Sequence, residues 1–169
     1  MNFVAICIFP VFLSLPPSSY IHGWYHSTYH FAKMRREDET VKVVVRIRPL
    51  SGDELRNGNI KTTSAEPDLG LIVVRNPKAD DREPPKHFTF DHVFDENATQ
   101  KLIYDSCMSA VVDACLEGFN GTVFAYGQTG SGKTHTMEGK PDPPEFRGVI
   151  PNSFQHIFDH IALSEGTHL

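Results

Sequence analysis

The chain has 169 residues, 40% of them apolar and 22% charged, which suits one domain with a real core and excludes a disordered or fibrous class. A formal charge of −5 argues against broad electrostatic binding to nucleic acid or any other acidic polymer. Three cysteines give no disulfide framework: Cys107 and Cys115 fall on one predicted helix roughly 12 Å apart, too far to bridge, so a reducing compartment is expected.

The N-terminal stretch differs from the rest. "FVAICIFPVFLSL", Phe3 to Leu15, has the length of a signal-peptide core, but no Lys or Arg precedes it and Pro10 interrupts it. It is also short of the roughly 20 apolar residues that span a bilayer, so no membrane span is expected. Residues 1–40 are therefore read as an extension, disordered or translated from a mispredicted first exon, that closes with the charged linker "MRREDET". His22, His26 and His30 would share one face of a helix, as a metal site requires. Gly23 and the Ser27-Thr28 pair weaken such a helix, and the plainer reading is an aromatic, polar tail.

The folded domain is expected over 41–169. "VKVVVRIRPL" (41–50) reads as a buried strand closed by Pro49, and 71–76 and 86–94 as two more, with a proline-rich, charged loop between them. Asn97 with Gln100 three residues on has the form of a capping box. Ile103, Cys107, Ala110, Val111 and Ala114 then repeat with helical period, and Gly118 is placed to stop the helix. "GTVFAYG" (121–127) suits a central strand, a second helix should open near Lys133, and "KPDPPEFRG" (140–148) is a loop. In "NSFQHIFDHIAL" (152–163), Phe154, Ile157, Phe158 and Ile161 share one helical face.

Between that strand and helix lies G-x-x-x-x-G-K-T: Gly127, Gln128, Thr129, Gly130, Ser131, Gly132, Lys133, Thr134. Glycines let the backbone curl so that several N–H groups converge on one anion. Lys133 can reach β- and γ-phosphates, and the Thr134 hydroxyl can ligate Mg²⁺. A chance glycine turn is the rival reading, and the flanking strand and helix speak against it. Hydrolysis needs further parts, an acidic residue near the metal and groups that place water. Asp91 and Asp95 precede the loop and read as turn and surface residues. No catalytic residue is identified: the residues predict a holder of nucleotide.

At "VKVVVRIRPL" and "GFNGTVFAYGQTGSGKTHTMEG" the chain resembles the kinesin motor domain, with R-I-R-P at 46–49, F-T-F-D at 88–91 and R-G-V-I-P at 147–151 in the family's order. "EPPKHFTFD" and "RGVIPNSFQHIFDHI" look most like the kinesin-II class, which moves cargo along cilia. The resemblance implies an α/β fold of the phosphate-loop NTPase type, a central mixed, largely parallel sheet flanked by helices. It also implies ATP and Mg²⁺ as ligands, microtubules as partner and a cytoplasmic, cytoskeletal location. It places Arg46 and Pro49 against the adenine with His135 on the other side, counts Arg48 among the nucleotide-binding residues, and puts Tyr126 beneath the loop. The chain matches about the N-terminal half of such a domain, without the N-x-x-S-S-R-S-H and D-x-x-G switches or a dimerisation region. The expected function is ATP binding within a microtubule motor. The alternatives are a truncated non-motor product that binds nucleotide or tubulin without catalysis, and an unrelated phosphate-loop kinase.

Overall fold

A computed structural model describes residues 3–11, 41–78 and 83–165. A four-stranded sheet is built from β1 (Phe3–Val11), β2 (Lys42–Ile47), β6 (His92–Phe94) and β7 (Asn120–Tyr126), in the order β6-β2-β1-β7. β2 is parallel to β6, and β1 is antiparallel to both β2 and β7. One of the three pairings is parallel and two are antiparallel, so the sheet is mixed, as expected of the chain, but not largely parallel, because β1 runs against both of its neighbours.

The reversed strand corrects one expectation. Part of the 1–40 extension, Phe3–Val11, is ordered as an interior strand of the sheet. An apolar sequence suits a strand covered on both edges. Pairing with β2 stops at Ile8, opposite Lys42 at the start of that strand, while pairing with β7 runs on through Pro10 to Val11. The three histidines at 22, 26 and 30 lie outside the described residues.

Alternation along β2 sends its side chains to two different cores. On one face Val44 joins Ile6, Phe94, Ile103, Tyr104, Cys107, Met108, Val112 and Val149. Helices cover this face. They are α2 (Gln100–Ile103), a π-helical turn (Tyr104–Met108) and α3 (Ser109–Leu116), with α4 (Lys133–Met137) and α5 (Val149–Glu165) beyond. On the other face Val45 and Ile47 meet Ile72 and Val93 under a small antiparallel sheet. Its strands, in spatial order, are β3 (Thr63–Glu66), β4 (Leu71–Val74) and β5 (Lys86–Thr89), and a short helix α1 (Gly52–Arg56) precedes them. Among the described residues the helices thus cover one face of the main sheet and a second sheet covers the other.

The single strand expected over 86–94 is split. Phe90 N–H donates to the Gly70 carbonyl, while the Asp91 carboxylate accepts from Val43 N–H at 2.7 Å, so the chain passes there from one sheet to the other. The helix cap also moves. Thr99 caps α2, its hydroxyl accepting from Leu102 N–H, while Asn97 N–H donates back to Asp95. Asp95 is thus the turn residue it was read to be. α5 is held by Tyr104, whose hydroxyl meets His156 Nδ1 at 3.0 Å, and by Asp113, 3.1 Å from His156 Nε2. An Nε2–H donating to the Asp113 carboxylate suits the second contact. Of the apolar face expected on α5, Ile157 packs on the core, while Phe154, Phe158 and Ile161 stay exposed.

Candidate nucleotide-binding site

The glycine loop follows the end of β7 directly and runs into α4. Gly130 and Gly132 have φ of +79° and +103°, a region that side chains with a Cβ rarely enter, which is why glycine stands at both bends. Lys133 Nζ turns back along the loop and donates to the carbonyls of Gly127 and Gln128, each at 2.8 Å. Ser131 N–H donates to the same Gln128 carbonyl. Ser131 is buried and its Oγ has no hydrogen-bond partner. An unsatisfied buried hydroxyl is uncommon, since leaving one unpaired costs about 1–3 kcal/mol. Thr129, Thr134 and His135 are exposed, so their side chains are available to a ligand. Tyr126 is 72% exposed, so it does not pack beneath the loop as expected: it lies on the face of β7 away from the helices.

Behind the loop is a polar hub that motif reading missed. Arg46 donates to Gln100 Oε1 at 2.7 Å, to Thr136 Oγ1 at 3.2 Å and to the Ala98 carbonyl at 3.1 Å. Gln100 in turn donates to the His135 carbonyl at 2.6 Å and, more weakly, to that of Phe146. Gln100 and Thr136 are both buried. Burial pulls the Arg46 guanidinium below its ordinary pKa without threatening its charge. Partial burial, then the charges of Arg46 and Lys140, likewise lower that of His135 and keep the ring neutral near pH 7. The one sequence signal for this hub is Gln100 itself, a polar residue opening an apolar helix, which reads more readily as half of a cap.

The remaining two predicted site residues sit elsewhere. Arg48 and Pro49 line a cavity of about 590 Å³ with Ile47, Glu54, Ile60 and Lys61, and no loop residue borders it. Arg48 is paired with Glu54 at 2.6 Å and donates to the Pro49 carbonyl. The predicted residues therefore divide into a loop group and a cavity group, and Arg46, two residues before Arg48, has its side chain on the loop side. Among the described residues no group of His, Cys, Asp or Glu could hold a metal ion, which leaves the Thr134 hydroxyl as the metal contact the motif offers. Cys107 is buried and its thiol is pushed up to about 11, so it is an inert core residue. No helix of the described residues is long and apolar enough to cross a membrane.

A strand, a curled glycine loop and a helix on a mixed sheet define an α/β fold of the phosphate-loop class. The chain belongs to the kinesin motor-domain family, whose model matches residues 46–168. It is 49% identical over 134 residues to the kinesin-like proteins KIF3C of Pongo abelii and Mus musculus, covering 79% of this chain and 17% of each relative. Kinesin-like protein klp-20 of Caenorhabditis elegans is 47% identical over 124 residues, 73% of this chain and 19% of its own length. The chain thus spans under a fifth of these relatives, which agree with the kinesin-II resemblance.

Proposed function

We propose that the chain holds an adenine nucleotide with Mg²⁺ at residues 127–134, as the nucleotide-binding part of a microtubule-based motor. The observation that carries this reading is the buried, unpartnered Ser131 hydroxyl inside a loop whose glycines already have the curled geometry. Such a donor suits a polar ligand in the loop's concavity, where backbone amides of a curled glycine loop would also face an anion. Lys133 would exchange its two carbonyl partners for phosphate oxygens, a charge-assisted contact roughly twice as strong as a neutral one. Thr134, exposed at the start of α4, would offer its hydroxyl to the metal. When bound, Mg²⁺ neutralises phosphate charge.

For the base, the hydrogen bonds of Arg46 use in-plane N–H groups and fix the plane of the guanidinium, which would stack on the base by one face. The neutral His135 ring supplies a second flat surface without adding charge. Arg48 and Pro49, on a cavity that no loop residue borders, take no part in holding the base in this reading. The cytoskeletal location and the microtubule partner follow from the family. They apply to the longer proteins in which such a domain does its work.

Fluorescent ATP-analogue titration of the full chain tests this. Lys133→Ala is expected to weaken binding about a hundredfold, on the order of 3 kcal/mol for a charged contact. Equal affinities for the two proteins would refute the reading. A microtubule pelleting assay with and without nucleotide then separates a motor-like role from nucleotide holding alone.

A further inference from the structure

β7 carries the loop at its end, yet among the described residues it has one neighbour in the sheet, β1. The family match begins at residue 46, and β1 lies wholly before it. The strand that secures the nucleotide loop on its entry side therefore lies outside the span that the family model matches. Its register is specific. Ile6 lies opposite Val44 of β2 and opposite Ala125 of β7, one residue before Tyr126 at the strand's end. Ile6 and Val44 have no exposed surface, and Ala125 packs on the same core. These three positions form one row across the sheet beneath the helices. β2 and β7 do not pair with each other, and at a strand spacing of about 4.8 Å they stand roughly 10 Å apart with β1 between them.

We propose that Phe3–Val11 is a positioning element for the nucleotide loop, setting β7, and hence Gly127, at the right place relative to β2 and Arg46. This rests on the nucleotide reading above. A one-residue slip of β1 would turn every side chain to the opposite face and push Ile6 out of the core, so the register itself fixes where β7 lies. The segment acts through β7 and has no part in touching the ligand.

The test uses the full chain with Cys115→Ser to remove an exposed thiol. Cys7 lies opposite Phe124 in the ladder, and opposed residues of antiparallel strands have Cα atoms about 4.5–5.5 Å apart, within disulfide range. In the Phe124→Cys variant the introduced thiol should form an intramolecular disulfide with Cys7 on mild oxidation, read by peptide mass mapping. The bridged protein should bind the ATP analogue within twofold of its parent. Ile6→Ala should weaken binding about three- to tenfold. Ile103→Ala, in the same core but on α2, should leave affinity within twofold at a comparable loss of Tm. Absence of the bridge overturns the proposal, and so does equal affinity loss in the two alanine variants, which would mean general destabilisation. Should wild-type and Lys133→Ala bind alike, the nucleotide reading fails and the positioning role with it, while the bridge still reports the strand's place.

Discussion

The two ends of the glycine loop are held by different physics. At the exit, α4 is tied to β2 and α2 by the Arg46–Gln100–Thr136 hub, a few directional hydrogen bonds in a partly buried setting. At the entry, β7 is held by a backbone ladder running from Ala5 opposite Tyr126 to Val11 opposite Asn120. A hub concentrates its energy, so one wrong atom strands a charge or a carbonyl without a partner. A ladder spreads its energy over many equivalent contacts, and one side chain matters little unless it points into the core. The exit should thus be brittle to single substitutions and the entry tolerant of them.

The largest effect that would sharpen this contrast is at Gln100. Gln100→Leu removes the shortest acceptor from Arg46 and the donor to the His135 carbonyl, and is expected to destabilise the fold by about 2–4 kcal/mol. Gln100→Glu keeps an acceptor and loses only the donor, so about 1–2 kcal/mol is expected from urea unfolding. If the two variants unfold at the same midpoint, the hub does not hold Arg46 in the way described. Next in size is Thr99→Ala, which takes the cap from α2 at the hub's edge and should cost about 1 kcal/mol, seen as a Tm lower by several degrees. On the entry side, Thr122→Ala changes an exposed position of β7 and should stay within about 0.5 kcal/mol of wild type. A larger loss there would break the comparison.

How far these features were legible in the sequence follows the same division. The loop was legible because its chemistry is local: glycine spacing, a lysine and a hydroxyl, read in order. The hub was not, because Arg46 and Gln100 are 54 residues apart and only the fold brings them together. Asn97 has the look of a cap, but its amide turns to Asp95, leaving Thr99 to serve. β1 reads as part of an extension because a run such as "FVAICIFPV" carries no period-two alternation to mark a strand, and its partners come from two distant segments. Tyr126 is placed by analogy beneath the loop, whereas alternation along β7 puts Ala125 inward and Tyr126 outward.

The smallest effect belongs to the far side of β2, where Arg48 meets Glu54. The Arg48 contact, helped by the Ser51 N–H, holds the Glu54 carboxyl down at about 2. The folded pKa is therefore below the unfolded one, near 4.5, and the unfolded chain binds the extra proton between them. Stability from this group is fully present above about pH 4.5 and is lost as pH falls toward 2. Because the Glu54 side chain is still partly exposed, the contribution is screened and should shrink further in high salt. The check is a pair of urea unfolding series at pH 3 and pH 6. Glu54→Gln should show a smaller loss of stability than wild type between those values, with the nucleotide affinity of the two proteins equal at pH 7. A change in affinity would mean that this ion pair, and not only the hub, reaches the loop.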